Sequence, residues 1–120
     1  MLYTKEQKEK LEKVIEVFQD YVRESSYAEI VWSDKIGYVY LCIDQVRRQV
    51  VTTLELDCAE TLCDRLFYEV AQDVLDLTGN DHTSKDADPL EKAEITRRLE
   101  TYLKQLPEYR YIAEKLFAKE

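Results

Sequence analysis

Hydrophobic residues near the N-terminus recur at intervals of three and four, which is the spacing of one buried helical face. Thr4 and Gln7 form a capping-box pattern that starts this helix, and Ser25 follows its last turn. The members of the apolar stripe are Leu11, Val14, Ile15, Phe18, Tyr21 and Val22. From residue 27 to residue 56 the period changes to two, and β-branched and aromatic residues dominate. The pattern therefore predicts a helix followed by strands.

Two turn signals divide the period-two region into three strands. The first turn covers residues 33–37 and contains a glycine, and the second covers residues 45–48. The predicted strands span residues 27–32, 38–44 and 49–56. Because sequential strands joined by short turns usually pair with one another, this arrangement favours an antiparallel meander.

Two or three more helices are predicted after the strands. An apolar stripe beginning after Asp57 indicates a long helix, and Gly79 is well placed to end it. Asp88-Pro89 then supplies an N-cap followed by proline at the first helical position. Pro107 separates that helix from a short last one. The predicted order is α-β-β-β-α-α-α, an α+β fold in a single domain spanning residues 1–120.

Composition and charge narrow the classes of function. The chain has 120 residues, a net charge of −8, three cysteines and two glycines. Phosphate backbones and anionic membrane surfaces are usually bound by basic patches, so neither nucleic acid nor a membrane is expected as a direct ligand. An odd number of irregularly spaced cysteines suits free thiols in the cytoplasm. Two glycines can hardly build a phosphate-binding loop, and we expect no cofactor.

The predicted middle strand is apolar on both faces, unlike an antiparallel strand that has one face in water. Either the chain's own helices cover both faces, or one face remains exposed for another protein. In the second case the exposed patch would comprise Tyr27, Val31, Tyr38, Tyr40 and Val51. We predict that Tyr38, Tyr40 and Val51 form an apolar contact surface for a protein partner or for a second copy in a homodimer.

Acidic residues concentrate between residues 55 and 91. This window holds eleven carboxylates against Arg65 and Lys85, a net charge of −9. The ordinary interpretation is a solvated helix face with favourably charged helix starts. The alternative is a binding surface for a basic partner, formed by Glu69, Asp73 and Asp76 on one helical stripe. In its strongest form such a surface imitates nucleic acid and inhibits a DNA- or RNA-binding protein.

Catalytic and metal-binding chemistry receives little support from the sequence. Cys58 is expected in the first turn of a helix, where the dipole lowers a thiol pKa, but the neighbouring Asp57 and Glu60 act in the opposite direction. The only histidine, His82, is remote in sequence, and Cys58 and Cys63 lack the further ligands of a zinc site. The predicted function is therefore non-enzymatic protein binding or regulation, with no catalytic, cofactor or metal residue. A small enzyme that uses Cys58 or a carboxylate pair is a distant alternative.

Overall fold

The computed structural model describes residues 2–79 and 83–118. These residues form the helices α1 (Lys5–Val17), α2 (Gln19–Glu24), α3 (Ala59–Thr78), α4 (Pro89–Leu103) and α5 (Arg110–Glu114), and the strands β1 (Ala28–Ser33), β2 (Gly37–Asp44) and β3 (Gln49–Glu55). Short 3-10 turns lie at Ser84–Asp86, Pro107–Tyr109 and Lys115–Phe117. The order of elements confirms the predicted α+β fold.

The chain divides into two compact units, Met1–Leu62 and Cys63–Glu120. The first unit holds α1, α2, the three strands and the first turn of α3, and the second holds the rest of α3 with α4 and α5. Among the described residues, no helix combines the length and the apolar character needed to cross a bilayer. The interpretation of residues 1–120 as a single domain stays a prediction.

The first unit begins with α1, whose start is the predicted capping box. The Gln7 N–H donates to Thr4 Oγ1 at 3.1 Å, and the Thr4 N–H donates to Gln7 Oε1 at 2.9 Å. The predicted single helix is interrupted at the fully buried Phe18, where φ is −95° and ψ is 9°. Hydrogen bonds of 3.0 Å from the Phe18 N–H to Val14 O and from the Val22 N–H to Phe18 O carry the helical path across the interruption.

The three strands form the predicted antiparallel meander in the order β1-β2-β3, so that β1 and β3 are the edges. The ladder between β2 and β3 contains one irregularity. Cys42 pairs with Thr52, whereas the next residue, Ile43, pairs with Val50. Val51 is therefore the extra residue of a β-bulge, a feature that bends a strand and raises its twist.

Tyr3 closes the end of the β2–β3 ladder. Its hydroxyl accepts a hydrogen bond from the Tyr38 N–H at 2.9 Å and donates one to Leu56 O at 2.5 Å. Gly37 permits this close approach, because a Cβ atom there would lie 2.5 Å from the Tyr3 hydroxyl oxygen. The residue also has a φ of +87°, which disfavours any other side chain. Tyr3 thus ties the segment before α1 to the sheet.

In the second unit, the buried carboxylate of Glu91 joins the ends of two helices. The Glu91 N–H donates to Asp88 Oδ1 at 2.8 Å, and the Asp88 N–H donates to Glu91 Oε1 at 3.0 Å, which makes a capping box at the predicted start of α4. The Thr78 hydroxyl, at the end of α3, donates to Glu91 Oε2 at 2.6 Å. Gly79 follows α3 with a φ of +73° and confirms the predicted helix end.

Candidate protein-binding site

The structure corrects the predicted tyrosine surface. Tyr40 is only 1% exposed, so the predicted exposure of this side chain is wrong. Tyr38 is half-buried, and its hydroxyl donates to Glu12 Oε2 of α1 at 2.7 Å. On the same face of the sheet, Lys8 Nζ of α1 lies 5.0 Å from the ring centre of Trp32. These two contacts join exposed side chains of α1 to Tyr38 and Trp32 on this face.

The contact between Tyr38 and Glu12 predicts a measurable titration. Burial and the hydrogen bond to the Glu12 carboxylate raise the pKa of Tyr38 to about 12 from an ordinary value of 10.0. Because the folded pKa is the higher one, the stabilisation from this proton is present below pH 10 and is lost as the pH rises toward 12. In a spectrophotometric titration, Tyr38→Phe should remove one tyrosinate signal near pH 12. Tyr111→Phe, at a half-exposed residue, should leave that signal in place, and its survival in Tyr38→Phe would contradict the contact.

Burial also interrupts the predicted acidic stripe of α3. Glu69 is 7% exposed, and its Oε1 lies 2.7 Å from Arg65 Nη2, so its predicted availability to a partner is wrong. Asp73 is half-buried, and Asp76 is exposed. The buried arc of α3 is wider than one stripe, and the residues adjacent to Glu69 that it includes are Leu66, Phe67, Val70 and Ala71. The three predicted carboxylates therefore form no continuous acidic surface.

Part of the exposed apolar surface of the first unit lies on β3, and the rest includes Leu2, Trp32 and Ile36. All five residues of the range 49–53 are exposed. Val50 is 52% exposed and Val51 is 66% exposed. The predicted exposure of Val51 is therefore confirmed. In the preceding turn, Val46 is 95% exposed, and its N–H donates to Asp44 Oδ1 at 3.0 Å. Exposed apolar patches of this kind are typical of protein-interaction sites.

The backbone of β3 adds hydrogen-bonding capacity to this apolar surface. The Leu56 N–H donates to Tyr38 O at 3.0 Å, which fixes the alternation of the β2–β3 ladder. By that alternation, Leu54 directs its backbone groups toward β2, whereas Thr53 and Glu55 direct theirs away from the sheet. Both of these residues are exposed. An edge strand with outward N–H and C=O groups is a template on which another strand can pair.

The two ends of β3 carry opposite net charges, and at the positive end Arg47 Nε lies 3.9 Å from Asp44 Oδ2. Arg47 and Arg48 precede the strand, Glu55 is its last residue, and Asp57 follows two positions later. All four side chains are exposed. A hydrogen bond from the Thr61 hydroxyl lowers the pKa of Asp57 from its ordinary value, so this carboxylate is ionised at neutral pH. We refer to residues 46–57 as the β3 edge.

The cysteine that sequence reasoning weighed for chemistry, Cys58, directly follows this edge. Cys58 Sγ lies 3.3 Å from Thr61 Oγ1. His82, the suggested partner of Cys58, falls outside the described residues. Within residues 2–79 and 83–118, no group of three or more histidine, cysteine, aspartate or glutamate side chains is arranged to hold a metal ion.

Comparison of the chain with protein-family models, with curated proteins and with solved structures finds no match. The geometry of the β3 edge is therefore the basis for a functional proposal. Sequence reasoning identified Val51 but missed Val46, Val50 and the two arginines. The polar composition of the third strand, in contrast to the apolar second strand, was the signal for an exposed edge.

Proposed function

We propose that this protein is a non-enzymatic cytoplasmic binding module that associates with another protein chain through the β3 edge. The binding mode is strand addition, in which an extended segment pairs with β3 and enlarges the sheet. Main-chain hydrogen bonds then supply affinity, and alternate side chains supply specificity. The observation that carries the proposal is an edge strand on which Val50 and Val51 are at least half exposed while Thr53 and Glu55 direct their backbone groups outward.

The acidic segment of residues 55–91 is a weaker candidate for a binding surface than the β3 edge. A nucleic-acid mimic needs a row of exposed carboxylates, and the burial and pairing of Glu69 interrupt the row on α3. At the β3 edge, apolar area and outward backbone groups coincide on one element. Their coincidence favours a protein ligand with an extended conformation.

A single lysine on the edge tests the proposal. Lysine on an edge strand opposes pairing, because its charge would have to be desolvated by the incoming strand. We expect tagged wild-type protein to retain a partner from lysate of its source cells and tagged Val51→Lys to lose that partner. The matched control is Leu77→Lys on α3, which places the same charge at a residue that is 73% exposed.

The comparison of the three baits decides the outcome. The partner identified by mass spectrometry should be purified and its affinity for each bait measured by isothermal titration calorimetry. Amide hydrogen exchange at Thr53 and Glu55 should slow on binding, since their outward N–H groups become bonded. A partner that binds Val51→Lys as tightly as it binds Leu77→Lys would refute the role of the edge.

A further inference from the structure

We infer that the strand added to the β3 edge belongs to a second copy of this chain, paired antiparallel. This inference rests on the proposed function and names its partner. Arg47 and Arg48 lie at the start of the edge, and Glu55 and Asp57 lie at its end. Antiparallel pairing of two identical strands sets the start of each copy beside the end of the other. Both ends of the pair then bring arginines beside carboxylates.

The same charges select the direction of pairing. A parallel pair of identical strands would bring Arg47 and Arg48 of the two copies together at one end and their carboxylates together at the other. Like charges that face one another across a sheet are destabilising, whereas opposite charges stabilise it. Complementary charge across an interface also fixes register and suppresses wrong pairings. The β3 edge therefore complements itself in one direction only.

The middle of β3 is also suited to pairing with itself. Residues 50–53 are two valines and two threonines, all uncharged, β-branched and exposed. In an antiparallel pair with its charged ends matched in this way, the valines of each copy lie opposite the threonines of the other, and β-branched side chains pack well on a pleated surface. The two-fold symmetry of such a pair makes the contact isologous, so that the assembly closes at a dimer. In that register the outward backbone groups of Thr53 and Glu55 lie opposite residues 48–50 of the other copy, next to the bulge at Val51.

Charge reversal with complementation tests this pairing. One variant carries Arg48→Glu, and the other carries Glu55→Lys. In the homodimer of either variant residues 48 and 55 carry like charges at both ends, whereas in the mixed dimer they carry opposite charges at both ends again. Asp57 is left unchanged, because its carboxylate accepts a hydrogen bond from Thr61. Circular dichroism and thermal unfolding of each variant show that the fold is retained.

Sedimentation velocity over a range of concentrations measures the monomer–dimer equilibrium, and native mass spectrometry identifies mixed dimers. We expect the wild-type protein to dimerise at low salt and more weakly at high salt, because exposed charge pairs are screened. Each charge-reversal variant should dimerise at least about tenfold more weakly than the wild-type protein. An equimolar mixture of the two variants should recover nearly the wild-type dimer constant.

Other outcomes overturn the inference in distinguishable ways. A wild-type protein that stays monomeric, while its edge still captures a different protein, overturns the second copy as partner and leaves the proposed function standing. A dimer that is indifferent to both charge reversals and to Val51→Lys overturns pairing at this edge and counts against the proposed function as well. A mixture of the two variants that remains monomeric, while the wild-type protein dimerises, overturns the antiparallel arrangement. Leu77→Lys is expected to dimerise like the wild-type protein.

Discussion

Gly37→Ala is expected to lower the free energy of unfolding by about 3 kcal/mol, because two separate costs fall on one methyl group. A left-handed backbone conformation costs an L-residue roughly 1–2 kcal/mol, and φ at Gly37 is +87°. The new Cβ would also lie 2.5 Å from the Tyr3 hydroxyl oxygen and 2.8 Å from its Cζ. Tyr3 is nearly buried and is bonded to both Tyr38 and Leu56, so moving its ring breaks those hydrogen bonds.

A double-mutant cycle separates the two costs. In a Tyr3→Ala background the ring is absent, so Gly37→Ala should cost only the backbone strain of roughly 1–2 kcal/mol. Tyr3→Ala alone should be strongly destabilising, since it leaves the Tyr38 N–H and Leu56 O without their bridging hydroxyl and empties a buried volume. Urea unfolding followed by far-UV circular dichroism and by the fluorescence of Trp32 measures each corner of the cycle.

Gly79 provides a matched control for the cost of the left-handed backbone conformation. Its φ is +73°, and an added Cβ would meet no described atom within 4 Å. Gly79→Ala should therefore cost only the strain of roughly 1–2 kcal/mol, less than the same substitution at Gly37. Equal costs at the two glycines, or no change in the Gly37 cost when Tyr3 is absent, would contradict the close packing of Tyr3 on the turn.

Features that depend on neighbouring residues in the sequence were predictable. The capping box at Thr4 and Gln7 and the helix start at Asp88-Pro89 are local hydrogen-bonding devices, and the structure contains both. The change of hydrophobic period from 3.6 to 2 likewise located the antiparallel meander. These signals are short-range, because a cap or a strand periodicity is complete within a few residues.

Features that depend on which surfaces meet were not predictable in the same way. An apolar strand has two faces, and periodicity does not say which one a helix will cover, so Tyr40 was predicted to be exposed. Glu69 was predicted to be accessible, and this prediction failed because the width of the buried arc on a helix is set by the elements packed against it. The role of Tyr3 needs a contact across 53 residues of sequence, which no local pattern encodes.

Tyr40→Ala is expected to lower the free energy of unfolding by about 4 kcal/mol. A loss of this size distinguishes a buried Tyr40 side chain from an exposed one. Truncation of a buried aromatic residue removes its transfer free energy and leaves a cavity, and such changes typically cost about 3–5 kcal/mol. Tyr40 is among the largest fully buried side chains of the described residues. An exposed Tyr40, as a docking surface requires, would lose far less on truncation.

The same substitution at a half-exposed tyrosine gives the comparison. Tyr111→Ala, at a residue that is 50% exposed, should cost about 1 kcal/mol or less. Val51→Ala on the β3 edge should lie within about 0.5 kcal/mol of the wild-type protein, since its side chain stays in water when the protein is monomeric. If Tyr40→Ala proves as mild as Val51→Ala in urea unfolding, Tyr40 and its face of the sheet are not buried. That result would restore this face as a competitor to the β3 edge, because binding energy has to come from apolar area that folding leaves exposed.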